Sequence, residues 1–329
     1  MRTENSTHFL YYNNNMRVVV LGKGLMLANI ILGVIDAGHE IAGVFRYDYT
    51  SKSRLQIALE DFFKPAPEVT LIKELKLRQI RLKSANSEAF QRLMVALNID
   101  IIIVGTWKER LTSKTYNIPS IATINVHPSL LPKYRGPNPY MQTILHGEEY
   151  SGVTIHLVND NYDSGAILKQ EKVKIYDYDT SKELRERTVR KARELVAEFS
   201  DDMNQKILTP VNQNEKYATY FPSITGEEMM LDFSIQTSEE ISRTIRALHP
   251  FLPTYITHKN AYFIVDPYNF KIIDKYFNYA PDTIIDKDMK DASITIICKD
   301  NKGICFKNLK LYKRRGVKRY INKFVDITK

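Results

Sequence analysis

Short apolar runs alternate with helical patterns along the first part of the chain. Arg17 to Leu21, Ile41 to Arg46 and Ile101 to Val104 are rich in β-branched residues, as buried parallel strands are. Leu25 to Ala37 is predicted as an apolar helix, and Ser87 to Leu97 as an amphipathic helix that Ser87 caps. This alternation predicts a Rossmann-like, doubly wound and mostly parallel α/β sheet.

The same patterns predict further elements in this region. These are a helix from Leu55 to Phe63 that Pro65 and Pro67 end, a short strand from Ile80 to Leu82, and a helix-like run from Tyr140 to Leu145. Ser181 to Ile207 has apolar residues at helical spacing and is predicted as a long helix that covers the sheet.

Two predicted strands lead into polar residues. Ile121 to Val126 brings Asn125 and His127 to the end of a strand, and Gly152 to Val158 leads into the polar loop Asn159 to Asp163. Ligands of open α/β sheets bind just outside the carboxyl ends of the strands. These polar residues therefore predict a site at that edge of the sheet.

Asn125, His127 and Asp163 together suit the transfer of a carbonyl group to an amine. His127 can take or relay a proton near neutral pH. Asn125 can donate a hydrogen bond to a developing oxyanion, and Asp163 can orient the imidazole or stabilise its charged form. A His before Pro and an Asp before Ser-Gly also occur in ordinary turns, so these residue types alone leave a structural role open.

The C-terminal third has a different pattern. Residues 209–226 contain Pro210, Pro222 and Gly226 and are predicted as a linker. A capped helix, Ser238 to Leu248, is followed by short strands that suit a small OB-like β-barrel. These strands are predicted at Ala261 to Val265, Phe270 to Ile273, Ser293 to Cys298 and Gly303 to Leu309.

Composition and charge limit the possible ligands and the expected location of the protein. The net charge of +9 fits an anionic ligand such as a folate, a nucleotide or RNA, or simply a basic surface. The apolar runs are too short to span a bilayer, no secretory signal is evident, and a cytoplasmic location is expected. The only two cysteines, Cys298 and Cys305, are expected to be buried or half-buried thiols. The basic tail from Lys310 to Lys323 could meet phosphates, although a solvated face is the commoner case.

Several function classes do not fit. The turn Gly22-Lys23-Gly24 has Leu27 where the dinucleotide fingerprint requires a third glycine, which argues against NAD binding. There is no Gly-x-Ser-x-Gly motif for a serine hydrolase. No metal site is predicted, because His146 is expected on the crossing helix and His156 within a strand.

The segment around the polar site resembles the folate-dependent formyltransferases, which include enzymes acting on glycinamide ribonucleotide, on methionyl-tRNA and on nucleotide-linked amino sugars. The matching motifs are Asn125-Val126-His127-Pro128-Ser129-Leu130-Leu131-Pro132, Arg135-Gly136, Gly152-Val153-Thr154-Ile155-His156 and Asp163-Ser164-Gly165. Several fixed positions over about forty residues are far more specific than one short motif.

The resemblance implies an N-formyltransferase whose donor is 10-formyltetrahydrofolate and whose catalytic residues are Asn125, His127 and Asp163. It implies that two loops line the folate pocket, chiefly through backbone groups. The residues concerned are Thr106, Trp107, Lys108, Glu109, Leu111, Asn159, Asp160 and Asn161. Trp107 suits equally a core residue and the wall of an aromatic ligand site.

The acceptor is expected to be the amino group of a nucleotide-linked amino sugar. Lys133, Arg135 and Gly136 are the predicted substrate-binding residues, with Arg135 suited to a bidentate contact with a diphosphate. Methionyl-tRNA formyltransferase is the first alternative, but that family has a basic loop after strand two that residues 46–53 lack. The second alternative is a catalytically silent homologue that binds folate or RNA.

The predicted organisation is therefore a disordered extension over 1–15, a catalytic formyltransferase domain over 16–208, the linker over 209–226, and the OB-like domain over 227–329. The oligomeric state and the role of the C-terminal domain are left open.

Overall fold

The computed structural model describes residues 15–204, 209–258, 261–288 and 293–312. Among these residues, two compact units are formed. Unit 1 contains residues 15–126, 155–161 and the described part of 192–211; unit 2 contains 127–154, 162–191 and the described residues after 211. The predicted N-terminal extension lies, apart from Asn15, outside the described residues, and the predicted domain boundaries stay a prediction.

The central sheet has the predicted class of topology. Its strands are β1 (Arg17–Gly22), β2 (Glu40–Arg46), β3 (Ile101–Gly105), β4 (Ala122–His127), β5 (Tyr150–Leu157) and β6 (Ile167–Lys174). Their order is β2-β1-β3-β4-β5-β6. The pairs β1 with β2, β1 with β3 and β3 with β4 are parallel. Because β3 is buried along its whole length, its residues are continuously apolar rather than alternating. The predicted Rossmann-like fold is confirmed.

The described helices include those predicted from the sequence and three short ones that were not. They are α1 (Gly24–Asp36), α2 (Asp48–Ser51), α3 (Arg54–Phe63), α4 (Pro67–Glu74), α5 (Glu88–Ala96), α6 (Ser113–Tyr116), α7 (Pro139–Leu145), α8 (Ser181–Asn204) and α9 (Ser238–Leu248). The three that were not predicted are α2, α4 and α6. Ser87 caps α5 as predicted, its hydroxyl accepting a hydrogen bond from the N–H of Phe90. None of the described helices combines the length and the apolar composition that crossing a bilayer requires.

One local prediction is wrong. The strand expected from Ile80 to Leu82 is not formed, because pairing with β2 is limited to one bridge between Val44 and Gln79 and the flanking backbone hydrogen bonds. The helix α3 ends before Pro65 and Pro67, as predicted. Pro67 also begins α4, since proline at the first helical position sacrifices no intrahelical hydrogen bond.

The C-terminal part of unit 2 is small and antiparallel, as predicted. Its strands are β7 (Tyr255–His258), β8 (Ala261–Ile264), β9 (Phe270–Tyr276), β10 (Ile284–Asp288), β11 (Ser293–Ile297), β12 (Lys302–Phe306) and β13 (Lys310–Tyr312). They form a four-stranded sheet, β10-β11-β12-β9, and a three-stranded sheet, β13-β8-β7. Sequence reasoning missed β6, β7, β10 and β13. The basic tail beyond Tyr312 lies outside the described residues.

The two cysteines are free thiols, as expected. Cys298 is fully buried in a core cluster with Ile304 and Phe306, and Cys305 is half-buried in β12. Burial raises the pKa of the Cys298 thiol to about 12, which keeps it protonated and unreactive at neutral pH.

Helix α9 connects the linker to this core. Its inner face buries Ile241, Ile245 and Leu248. A capping box closes its first turn: the Thr237 hydroxyl accepts from the N–H of Glu240, and the Glu240 carboxylate accepts from the N–H of Thr237 at 2.8 Å. The hydrogen bonds from Thr237 hold the pKa of Glu240 below its ordinary value of 4.5.

The capping box should give α9 a measurable acid dependence. A carboxylate with a lowered folded pKa stabilises the fold above about pH 4.5, and this contribution is lost as the pH falls through the folded pKa. We expect Thr237→Ala to lower the free energy of unfolding by about 1 kcal/mol at pH 7. Glu240→Gln should retain most of the free energy of unfolding at pH 7. On acidification it should lose less of that free energy than wild type. Urea unfolding at pH 7 and pH 4 measures both effects; identical acid responses of wild type and Glu240→Gln would contradict this account.

Candidate active site

Strand β4 carries two of the predicted catalytic residues. Asn125 and His127 are two positions apart, and alternate residues of a strand point to the same face. The amide nitrogen of Asn125 lies 3.1 Å from Nε2 of His156, and Nδ1 of His156 lies 2.8 Å from the carbonyl oxygen of Leu157. In the tautomer that satisfies both contacts, His156 donates to Leu157 and accepts from Asn125. His156 therefore orients the Asn125 amide, a role that sequence reasoning missed when it treated His156 as a packing residue.

His127 and Asp163 lie together in unit 2. Nδ1 of His127 is 3.4 Å from a carboxylate oxygen of Asp163, and the exposed fractions of the two side chains are 6% and 13%. Nε2 of His127 is 2.9 Å from the carbonyl oxygen of Tyr134. Both ring nitrogens thus face acceptors, an arrangement in which a protonated imidazole can donate from both N–H groups.

The second oxygen of Asp163 is also engaged. It accepts a hydrogen bond of 2.9 Å from the backbone N–H of Gly136. Asp163 itself has a φ of 52°, a left-handed conformation that non-glycine residues rarely adopt. Such a conformation persists only where the surroundings hold it, and it is common at functional sites.

The loop after β4 is held from β5 and β6. The buried Thr154 hydroxyl accepts from the N–H of Leu131 and donates to the carbonyl of Ser129. The Gln170 amide donates to the Thr154 hydroxyl at 2.7 Å and to the Leu131 carbonyl at 2.9 Å. Leu131 precedes Pro132 through a cis peptide bond. Gln170 was not predicted, because a lone polar residue in a polar edge strand gives no pattern.

The predicted folate loops lie together in unit 1. Arg110 donates to the Asp160 carbonyl at 3.0 Å, which joins the 106–111 loop to the 159–161 loop. Trp107 is half-buried and makes edge contacts with Phe45 and Tyr47, with ring centroids 5.1 and 5.2 Å away. Its indole nitrogen is buried and makes no hydrogen bond to any of the described residues.

Not all side chains of these loops face a ligand site. Leu111 is a core residue with 4% exposure. The Glu109 carboxylate accepts hydrogen bonds from the Ser84 hydroxyl, the N–H of Ala85 and the Asn86 amide. Thr106, Lys108, Asp160 and Asn161 are exposed, and Asn159 is half-buried. Glu109 therefore has a clear structural role, and folate binding by all eight residues stays a prediction.

The predicted substrate-binding residues have partners within unit 2. Lys133 lies 3.6 Å from Glu148. The Arg135 guanidinium makes a bidentate pair with the exposed carboxylate of Glu215, at 2.9 and 2.7 Å, and also donates to the Gln213 side chain. Gly136 orients Asp163 through its N–H. Acceptor binding by Lys133, Arg135 and Gly136 stays a prediction.

No group of three or more His, Cys, Asp and Glu residues is arranged to hold a metal ion in the described part of the chain. His146 follows α7, where Nδ1 lies 2.8 Å from the Gln142 carbonyl, and its ring packs against Phe221.

Comparison of the sequence with known proteins identifies its family. The family described as formyl transferase matches residues 16–199, and the chain belongs to this family. It is 32% identical over 232 residues to the methionyl-tRNA formyltransferase of Thermotoga neapolitana, across 70% of this chain and 72% of that relative. The resemblance of the Asn125 to Gly165 motifs is thereby confirmed.

Solved structures share the fold. The N-formyltransferase of Helicobacter canadensis, solved with folinic acid and dTDP-3-aminofucose, matches with a TM-score of 0.64 at 18% identity, over 90% of this chain and 100% of that chain. A 4-N formyltransferase of Francisella tularensis matches with a TM-score of 0.59 at 21% identity, over 77% and 97% of the two chains. At these identities the matches establish a common fold.

The backbone at Gly136 should tolerate no side chain. Its φ is 104°, and a Cβ atom there would lie 2.4 Å from the carbonyl oxygen of Phe221. Gly147 also has a positive φ, of 66°, but its Cβ would meet only the Arg243 side chain at 3.4 Å. We expect Gly147→Ala to cost about 1–2 kcal/mol from its backbone conformation alone, and Gly136→Ala to cost clearly more. Chemical denaturation compares the two; equal losses would contradict the close approach at Gly136.

Proposed function

We propose that the protein is an N-formyltransferase that moves a formyl group from 10-formyltetrahydrofolate to the amino group of a nucleotide-linked amino sugar. Family membership and the contact of His127 with Asp163 support formyl transfer. The Helicobacter canadensis structure, which contains folinic acid and a nucleotide-linked amino sugar, supports the two ligand classes. A cytoplasmic location belongs to the same proposal.

The folate would be held by the 106–111 and 159–161 loops. They offer exposed loop residues and the edge of an aromatic cluster at Trp107. These features fit a flat, polar heteroaromatic ring. We assign binding to the backbone of the loops rather than to the side chains of Glu109 and Leu111, which are engaged elsewhere. When bound, the folate supplies a formyl group whose carbonyl carbon is the electrophile.

The catalytic residues have complementary roles in this proposal. The Asn125 amide donates a hydrogen bond to the formyl oxygen as negative charge develops there, an effect typically worth about 10²–10³-fold in rate. The His127 imidazolium, whose Nε2 donates to the Tyr134 carbonyl and whose Nδ1 faces Asp163, stabilises the developing oxyanion, and Asp163 helps to remove the amine proton through water; such proton transfer is typically worth about 10²–10⁴-fold. Asp163 holds the ring through Nδ1 and compensates its positive charge. His156 keeps the Asn125 amide in its orientation.

In this proposal, residues 46–63, after β2, help to select the acceptor. Lys52 lies 3.1 Å from Asp48, and Arg46 lies 2.6 Å from Asp61, so these two cations are neutralised within the chain. Helix α3 exposes four large apolar side chains, each 49–78% exposed, namely Leu55, Leu59, Phe62 and Phe63, alongside the exposed polar residues Arg54, Gln56 and Glu60. RNA binding depends on cations that meet phosphates. This region therefore favours a small acceptor over tRNA.

Arg135 is the proposed site for the nucleotide phosphates. Its guanidinium already binds a carboxylate in the bidentate geometry that a phosphate would use. That carboxylate, on Glu215, is 68% exposed, so we propose that the acceptor's diphosphate displaces it.

Methionyl-tRNA is the second candidate acceptor. The observation that favours it is the 32% identity to the Thermotoga neapolitana enzyme over 72% of that protein's length. If methionyl-tRNA is the acceptor, the tRNA binds a surface other than the exposed apolar side chains of α3.

The acceptor can be identified with a panel of amines. The protein is incubated with 10-formyltetrahydrofolate and with dTDP- or UDP-linked 3- and 4-amino sugars, charged initiator tRNA or glycinamide ribonucleotide, and tetrahydrofolate release is followed. We expect turnover with a nucleotide-linked amino sugar and none with its hydroxyl analogue, which lacks the nucleophile. Turnover with the tRNA, together with binding that weakens steeply with salt, would favour the alternative.

The same panel tests for a silent homologue. Trp107 is the only tryptophan, so its fluorescence reports donor binding independently of turnover. A fluorescence change on donor addition without turnover of any amine would contradict the proposed activity.

The catalytic pair should matter for turnover and little for folding. We expect His127→Ala and Asp163→Asn each to lower kcat by about 10²–10⁴-fold, because each removes one member of the pair that stabilises the oxyanion and helps to remove the amine proton. Asp177→Asn is a matched control, since Asp177 is an exposed carboxylate of unit 2. Thermal unfolding should show all three variants folded. Near-normal kcat in either catalytic variant would refute the assignment.

A further inference from the structure

The segment predicted as a linker pairs with the loop that follows β4. This strap, residues 213–221, receives a backbone hydrogen bond of 2.9 Å from the Arg135 N–H at the Thr219 carbonyl. The N–H groups of Thr219 and Phe221 donate to the carbonyls of Pro132 and Arg135 at 3.2 and 3.1 Å. The strap is thus bonded to the loop that contains Gly136, in addition to connecting the two parts of the chain.

Gln213, at the start of the strap, uses both ends of its side-chain amide. Its nitrogen donates to the backbone carbonyls of Asp163 and Gly165, each at 2.8 Å. Its oxygen accepts from Nε and Nη2 of Arg135, at 3.2 and 2.7 Å. One half-buried side chain therefore joins the loop of Asp163 to the residue that precedes Gly136.

These contacts reach Asp163 from two directions. Gln213 holds its backbone carbonyl, and the N–H of Gly136 holds its carboxylate. The left-handed backbone of Asp163 costs free energy on its own and requires such restraints. Removing the Gln213 contact should let this backbone relax and should move the carboxylate relative to His127.

We propose that Gln213 is a positioning residue for formyl transfer, which acts by holding Asp163 in the conformation that places its carboxylate against His127. This inference rests on the catalytic roles proposed for Asp163 and His127. Gln213 itself touches neither the reacting atoms nor the ring of His127 in this account.

Two substitutions test the donor and acceptor contacts of the Gln213 amide. Gln213→Glu keeps the acceptors for Arg135 but loses the N–H donors and places a carboxylate against the carbonyls of Asp163 and Gly165. Gln213→Met keeps the chain length and loses all four hydrogen bonds. Gln236→Glu is the matched control, because Gln236 is a half-exposed glutamine of unit 2 whose oxygen accepts a 2.9 Å hydrogen bond from the Asp232 N–H.

The first measurement is steady-state kinetics with the amine that wild type accepts. A small misplacement of a catalytic group can cost about 10²-fold in rate. We therefore expect both Gln213 variants to lose about 10²-fold in kcat, with the KM of the donor changed less than about threefold, and Gln236→Glu to match wild type. A purely structural role would lower the melting temperature and leave kcat of the folded fraction intact. Equal kcat in Gln213→Glu and Gln236→Glu would overturn the proposal.

The second measurement needs no acceptor. Hydrogen exchange of the full-length chain reports the Gly136 amide, whose acceptor is the Asp163 carboxylate. We expect faster exchange of this amide in both Gln213 variants and wild-type exchange in Gln236→Glu. Unchanged exchange in Gln213→Glu overturns the proposal even if no amine has been turned over, so its failure is distinguishable from failure of the proposed function. Faster exchange with wild-type kcat overturns it as well.

Discussion

The site depends on one carboxylate that is held on both oxygens. Asp163 faces Nδ1 of His127 with one oxygen and accepts the Gly136 N–H with the other. The left-handed backbone at this residue helps to set the direction of its side chain. The surrounding loops must therefore be rigid enough to keep a residue in a conformation that it would leave if free.

Hydrogen bonds to the loop backbone hold the segments around Asp163. Thr154 and Gln170 hold the loop after β4 from the neighbouring strands. Gln213 holds the backbone of Asp163 from the strap. Each of these side chains satisfies backbone groups that regular secondary structure leaves unpaired in a loop, so the polar network stabilises the site and fixes its geometry together.

The surface after β2 combines neutralised cations with exposed apolar side chains. In this chain Arg46 and Lys52 are neutralised by nearby carboxylates, and α3 exposes large apolar side chains among polar ones. Exposed side chains on a helix can change with little effect on the buried sheet. Family membership therefore sets the reaction more firmly than it sets the acceptor.

Much of the fold could be predicted from local patterns. The buried strands β1 and β3 are continuous β-branched runs, and the Ser87 cap and the helix α9 were found from single residues and spacing. The edge strand β6 was missed because an exposed strand carries no apolar pattern, and the strand expected at Ile80 to Leu82 was wrong because strand formation requires a partner along its length. The roles of His156 and Gln213 were also missed, since both depend on partners distant in the chain.

The sequence by itself determined the alternation of strand and helix, the family, and the residue types that can perform formyl transfer, because these follow from local composition and a dense motif. Only the tertiary structure decided that His127 meets Asp163, that Gly136 and Gln213 hold Asp163, and that Arg135 is bonded to Glu215. Such contacts join residues tens of positions apart, and their geometry is set by loop conformations that no local pattern encodes.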